Sequence, residues 1–418
     1  MKVSIVIPMQ QHSYKTAVGL IKAGFLDRYY TTVYYKKKSY VYRFLKIILP
    51  VELSKRMYGR CLAEINPYAC TYFELLGLLL LFVNRVSVLK RIKPWIRKIL
   101  FVNFSRLVAK DCRKRQIDFI WSFDSWSLDI YKALEKEGVK VVKILDMAST
   151  ATPTIAKIIE EEYNKHESFY YTFERNRSMY SKENIIRYVE EFKYADYFLS
   201  PSEWVKKSLL LCGIPKDKIL YLPHGVDINK YRPVNKIRKE SDVLRFLFVG
   251  RVEGAKGIHY LFETFRQLAD QEIELIVVGN TYSWREEVAH YSPNIKVIGL
   301  LRSSEMPKIY QMADVFILSS LWEGSSLSLL EAMAAGLPVI ASEHSCAPDI
   351  ITSGIEGFVY NPYDIEGLKS HILWFLNNKD KIKEMGIAAR NKVENYTWEE
   401  YYKNVSRIVT LIKSKSRK

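Results

Sequence analysis

Short runs of β-branched and aromatic residues alternate with helix-length segments along most of the chain. Runs at 3–7, 117–123, 139–145, 196–200, 219–222, 244–249, 273–278, 295–299, 314–319 and 338–341 read as buried strands. Strands separated by helical stretches imply βαβ units and parallel, doubly wound sheets. These strands are too many for one comfortable sheet. The polar segment PHGVDINKYRPVNKIRKE, with Pro223 and Pro233, is the natural break, and LRFLFVG after it opens a fresh strand. The pattern therefore predicts an α/β protein of two Rossmann-like domains, 1–222 and 241–395, joined by a linker at 223–240, with a terminal helical segment at 396–418. Residues 24–115 depart from the pattern: they read as helical and aromatic-rich, with no clear strand alternation.

Composition narrows the class. A chain of 418 residues, 48% hydrophobic and 26% charged, has material for two full cores, which excludes general disorder. Its cysteines, Cys61, Cys70, Cys112, Cys212 and Cys346, are odd in number and form no CxxC pair. That argues against a disulfide scaffold or a thiolate zinc site and fits a reducing cytoplasm. The opening MKVSIVIPMQ reads as a first strand ended by Pro8, not as a cleaved leader. No run of about 18 uncharged apolar residues occurs, so no spanning helix is expected.

Net charge is +17, and its placement is informative. Residues 1–115 carry 23 Lys and Arg against five acids (Asp27, Glu52, Glu64, Glu74, Asp111), while the rest of the chain is nearly balanced. Such asymmetry points to a face that meets something anionic: phosphates, acidic lipid headgroups or nucleic acid.

Three segments carry candidate chemistry. In FLFVGRVEGAKGIHYLFETF a strand runs into a Gly-punctuated turn holding Gly250, Arg251 and Lys256. Backbone amides and two cations at the carboxyl end of a strand suit a diphosphate. In LWEGSSLSLLEAMAAGLPVIAS, Gly324, Ser325 and Ser326 precede a helix whose free N–H groups form an anion site. Glu323 lies just outside that helix and Glu331 about two turns inside, so the two carboxylates bracket an extended ligand. The third segment, ADYFLSPSEWVKKSLLLCGIPKDKILYLPHGVDINKYRP, reads as strand, capped helix, short strand and linker, and is structural on its own.

Taken together, these elements resemble the retaining GT-B glycosyltransferases of family four. The likeness rests on the two glutamates with seven residues between them, the Gly-Arg-x4-Lys-Gly turn, the HGVD linker and the terminal YTWEEYY segment. It is specific over roughly 195–400 and general before that. The resemblance implies two domains facing a central cleft, a nucleotide-sugar donor in the C-terminal domain, and a last helix crossing back to the N-terminal one. It implies that Arg251 and Lys256 bind the diphosphate with help from the Gly324–Ser326 amides, that Glu323 holds the donor sugar, and that Glu331 holds the ribose. It also implies same-face transfer with no metal and no resident cofactor.

The chain departs from the family's pattern in its first loop, where PMQQHSYKTAVG replaces a Gly-Gly turn. Gln11, His12 and Ser13 are candidates there for the acceptor side. Asp146, closing the strand VVKILD, stands where many relatives carry a histidine and is a candidate for orienting donor or acceptor. Asp124 is a further acceptor-side candidate, and His166 reads as a solvated helical residue.

The basic quarter suggests a membrane surface. Pro94, Ile96, Ile99, Leu100, Asn103 and Leu107 recur at helical spacing, placing Arg97, Lys98, Arg106 and Lys110 on an amphipathic helix. Upstream, tyrosines interleave with Lys36, Lys37 and Lys38, as a bilayer interface favours. The expected partners are a nucleotide-sugar donor, a glycan or lipid-linked acceptor and the acidic inner face of a cell membrane. The leading reading is a cytoplasmic, peripheral glycosyltransferase of cell-surface polysaccharide or lipopolysaccharide synthesis. A GT-B epimerase or phosphorylase is the alternative enzyme. A nucleic-acid-binding protein is disfavoured, because it leaves the two glutamates unexplained and no stacking motif is present.

Overall fold

A computed structural model of the chain describes residues 1–8, 12–35, 60–83, 92–165, 173, 179–234, 243–281 and 291–415. Gln11, Lys36, Lys37, Lys38 and His166 lie outside the described residues.

Strands β1 (Val3–Val6), β2 (Leu26–Thr31), β3 (Ala69–Thr71), β4 (Phe119–Phe123), β5 (Val142–Asp146), β6 (Tyr197–Ser200) and β7 (Ile219–Tyr221) form one sheet in the order β3-β2-β1-β4-β5-β6-β7. Strands β8 (Leu244–Val249), β9 (Ile273–Val278), β10 (Ile295–Gly299), β11 (Val315–Leu318), β12 (Val339–Ser342) and β13 (Gly357–Tyr360) form a second, ordered β10-β9-β8-β11-β12-β13. Every pairing is parallel. A parallel sheet is covered on both faces, and each sheet here lies between two hydrophobic clusters. The two doubly wound sheets of the sequence reading are present.

Three strands correct it. β2 and β3 lie within residues 24–115, where no strand was expected. In β2 (LDRYYT) an Asp-Arg pair breaks the apolar run, and three-residue β3 is too short to show a period. β13 opens on Gly357 at φ 151°, where a Cβ would overlap the Val339 carbonyl.

The terminal helix Trp398–Lys415 lays Tyr401, Tyr402, Val405, Ile408, Val409 and Ile412 into the core of the first sheet. It packs on helix Ser13–Lys22, and Thr16 and Tyr401 share a hydrogen bond of 2.9 Å. The chain thus returns to its first domain. The two crossings meet where Val226 bridges Thr397, and Gly225 abuts Thr397 so closely that a side chain would not fit.

Helix Lys93–Arg115 buries Ile96, Leu100, Phe104, Val108 and Cys112, a stripe of period four. Leu107, placed on the apolar face by sequence spacing, is instead 38% exposed.

Candidate functional site

In each sheet the strand order reverses at one point, between β1 and β4 in the first and between β8 and β11 in the second. Ligands of open α/β sheets bind outside the carboxyl ends of strands at such a reversal. The loops leaving β8 and β11 are those that carry the residues singled out from sequence.

After β8, Gly250 donates its N–H to the Val278 carbonyl at 2.9 Å. Arg251 is exposed and pairs with Glu253 at 2.9 Å. The turn closes at Gly257, whose φ of +61° and approach to the Ser319 carbonyl exclude any side chain. That closure brings Lys256 beneath the loop after β11, where its ammonium bonds the Glu323 carboxylate. Sequence reasoning put these two groups on different parts of one ligand. The structure joins them.

After β11, Ser326 caps helix Leu327–Ala334, its Oγ accepting from Leu329 N at 3.4 Å. Before it, Gly324 N donates at 3.4 Å to Glu323 Oε1, on the carboxylate that Lys256 bonds, and Ser325 is partly buried. Glu331, within the helix, accepts from Tyr231 Oη and Tyr310 Oη, each at 2.8 Å. Burial raises its carboxyl above the usual range, and the two tyrosine bonds oppose that shift. Tyr310 was missed from sequence because it stands in a helix with no local motif. Tyr231 lay within a segment read as structural.

The N-terminal domain meets this loop directly. A Cβ on Gly324 would overlap the Ala148 carbonyl. Thr150 Oγ1 donates to the Glu323 carbonyl oxygen at 3.0 Å and accepts from Trp204 Nε1 at 2.9 Å. The first-domain helix Thr152–Lys165 buries Glu162 fully against His259 Nε2 at 3.0 Å and Tyr260 Oη at 3.1 Å, both in the helix that follows Lys256. An apolar cluster of Ile155, Ile158, Ile159, Phe173, Leu321 and Trp322 seals this contact.

The acceptor-side candidates divide. Ser13 is buried and bonds Tyr29 Oη at 2.8 Å, so it ties its helix to β2 and does not face a ligand. Asp146 is likewise buried, held by Trp121 Nε1 at 2.9 Å with His12 Nε2 at 3.3 Å. Asp124 Oδ1 accepts from Ala148 N at 2.9 Å, and burial raises its carboxyl to about 6. It therefore anchors the loop that touches Gly324. Arg97 stacks over Trp126 at 4.8 Å and Phe101 at 5.4 Å, and Lys98 is exposed.

The family described as glycosyl transferases group 1 matches residues 227–392. The chain is 29% identical over 231 residues to the sulfoquinovosyl transferase SQD2 of Arabidopsis thaliana, covering 51% of this chain and 44% of that protein. The chain spans about half the length of the curated relatives it matches. Among solved structures, Anabaena HepE in complex with UDP superposes with a TM-score of 0.63 at 14% identity, covering 98% of this chain and 100% of that one. The lipopolysaccharide outer core galactosyltransferase WaaB superposes with a TM-score of 0.64 at 20% identity, covering 98% and 99%. Within a chain of GT-B fold, residues 227–392 therefore belong to the glycosyl transferases group 1 family, and the loops after β8 and β11 lie in that matched region.

Proposed function

We propose that this chain is a retaining, metal-independent glycosyltransferase that moves a sugar from a nucleotide diphosphate sugar to a glycan or lipid-linked acceptor. The observation that carries the reading is the junction of the β8 and β11 loops at the strand reversal. A cation, a capped helix start and an acid meet there on glycine-permitted turns. HepE was solved with UDP, and WaaB is a galactosyltransferase of lipopolysaccharide outer core, so these similar folds support a nucleotide donor and a cell-surface product.

On this reading Lys256 and Arg251 stabilise the diphosphate as the bond from C1 to its oxygen breaks. The amides of Gly324–Ser326 contribute further positive potential. Such groups act most in the transition state, where the charge develops. The acceptor oxygen bonds to C1 on the face the diphosphate leaves, and its proton passes to the departing phosphate oxygen. Glu323 holds the donor sugar's hydroxyls, and Glu331 with its two tyrosines holds the ribose. Side-chain cations do the work a metal would otherwise do.

Localisation at an acidic cytoplasmic membrane face is part of the proposal. Helices Glu74–Val83 and Lys93–Arg115 pack together and leave Leu75 68% and Trp95 69% exposed, with Leu79, Phe82 and Lys98 also outward. No described helix is long and apolar enough to cross a membrane.

A thermal-shift series with UDP, GDP, ADP and their common sugars, with and without EDTA, tests the donor assignment. A ligand at about 100 times its Kd adds about 2.7 kcal/mol to native stability, so one nucleotide series should stand apart in either buffer. No shift with any nucleotide, or a shift abolished by EDTA, sinks the reading. Turnover of the sugar nucleotide into an isomer without acceptor points instead to an epimerase.

A further inference from the structure

Around the reversal point of the first sheet, between β1 and β4, side chains from distant parts of the chain converge. His12 follows β1, Phe123 ends β4, Asp146 ends β5 and His224 comes from the interdomain linker. Asp146 Oδ2 accepts from Trp121 Nε1 on one side and faces His12 Nε2 on the other. The His12 ring lies edge-on to Phe123 at 5.1 Å and 4.6 Å from the His224 ring.

A carboxylate oxygen only accepts, so the nitrogen facing it, Nε2, carries a proton, and in the neutral tautomer that this contact selects Nδ1 keeps a lone pair. His12 occupies the N-cap position of helix Ser13–Lys22, yet its side chain makes no capping bond. Nδ1 is therefore not spent on the helix. A second observation points to a ligand. His224 is buried, and its Nδ1 has no hydrogen-bond partner among the described residues. A buried orphan of that kind is costly unless something meets it. Burial, with His12 beside it, pushes the His224 ring down to about 3, so it is neutral at ordinary pH. The Asp146 carboxylate behind His12 and the neutral His224 ring beside it suit an uncharged hydroxyl and disfavour a phosphate or carboxylate ligand.

We propose that His12 and Asp146 form a dyad that receives the attacking hydroxyl of a neutral sugar acceptor. His12 Nδ1 accepts a hydrogen bond from that hydroxyl and aims its oxygen. Asp146 is a positioning residue that fixes the ring and its tautomer. The hydroxyl proton still ends on the departing phosphate oxygen. This inference rests on the glycosyl-transfer reading above, and its tests are separable from it.

Histidine ring 15N spectra of the full chain test the dyad without substrate, with the His12 signal assigned by its loss in His12→Gln. Wild type should show His12 as the Nε2–H form. Asp146→Asn keeps an oxygen toward both Trp121 Nε1 and His12 Nε2 and should leave that form in place, whereas Asp146→Ala removes the acceptor and should let the two tautomers mix. A wild-type Nδ1–H form, or a tautomer indifferent to Asp146→Ala, overturns the dyad.

Turnover then tests its role. The probe is the nucleotide sugar giving the largest thermal shift, with alkyl glucosides and galactosides as acceptors, or water where none serves. His12→Gln keeps an N–H toward Asp146 but has no Nδ1. It should keep its Tm and its nucleotide shift, while kcat falls at least about tenfold and donor KM stays within about twofold. Wild-type turnover in His12→Gln would make the dyad packing alone. Absence of any nucleotide shift or turnover in wild type would sink the transfer reading and the acceptor role with it, while the spectra still decide whether the dyad exists.

Discussion

The Lys256 ammonium is seated on the Glu323 carboxylate, so the turn after β8 and the loop after β11 are bridged by one ion pair. Both side chains are mostly buried, and the pair holds Lys256 in place while leaving the local charge balanced. A diphosphate arriving there takes over the ammonium and releases Glu323 toward the sugar. Lys256→Ala should therefore lower kcat by about 100-fold, on the order of 3 kcal/mol of leaving-group stabilisation, while folding is kept. Glu323→Gln should lower kcat more than it raises donor KM. Steady-state kinetics decide both, and near wild-type turnover in Lys256→Ala would remove the diphosphate assignment.

Glu331 behaves differently because both of its oxygens already accept tyrosine hydroxyls. Glu331→Gln turns one acceptor into a donor against Tyr231 or Tyr310. Nucleotide affinity should drop by roughly tenfold, including that for the sugar-free nucleotide diphosphate. Tyr310→Phe should weaken it less. Calorimetric titration checks the order; equal losses from Glu323→Gln and Glu331→Gln would contradict separate roles.

Gly324→Ala probes the contact between domains. The new methyl overlaps the Ala148 carbonyl, so the domains must separate there or the loop must shift. Turnover should fall by roughly 10-fold or more, with nucleotide binding less affected, because the nucleotide groups lie on the C-terminal side of the contact. A variant with wild-type kcat would show that closure at this point is dispensable.

Stability should fall as pH rises above 6.5. Glu191 is buried and accepts from the backbone N–H groups of Ser125 and Ser127, holding a turn in which Ser125 has φ +70°. Burial, with Asp124 nearby, raises its carboxyl from 4.5 to about 8. Between those values the native chain holds a proton that the unfolded chain has lost, so stability declines as pH rises through the window. His224 acts in the opposite sense, but its contribution is complete above its ordinary 6.5. Tm should drop from pH 6.5 to 8, and Glu191→Gln should flatten that drop. An unchanged slope would assign the proton elsewhere.

Vesicle binding tests the membrane reading. The chain should co-sediment with vesicles containing acidic lipid, bind neutral ones poorly and come off as salt rises, since headgroup attraction is screened within about 8 Å at physiological ionic strength. Changing Lys36, Lys37, Lys38 and Lys98 to glutamine should weaken binding by up to about 1 kcal/mol per residue. Trp95→Ala, which removes a ring 69% exposed beside Lys98, should weaken it further. Preference for neutral vesicles would mean that the charge asymmetry has another cause.

Much of this protein is local in its sequence. Alternating apolar runs and helices specify parallel sheets, because periodicity and the need to cover both faces act over a few residues at a time. The turn residues Gly250–Gly257 and the helix start at Gly324–Ser326 were legible for the same reason: glycine, cation and cap each work within one loop. The spacing placed Glu331 inside that helix, but the cap at Ser326 sets it little more than one turn in and not the two turns expected. Tertiary structure decided what lies between distant segments. It paired Lys256 with Glu323, closed Tyr231 and Tyr310 over Glu331, buried Ser13 against Tyr29 and stacked Arg97 on Trp126. It also brought His12, Asp146 and His224 together from three parts of the chain. None of these follows from spacing, because each depends on which strand ends the sheet order sets side by side and how the two domains meet. The short strands Ala69–Thr71 and Gly357–Tyr360 belong with them: neighbouring strands hold them in place, and their own residues are too few to announce a period.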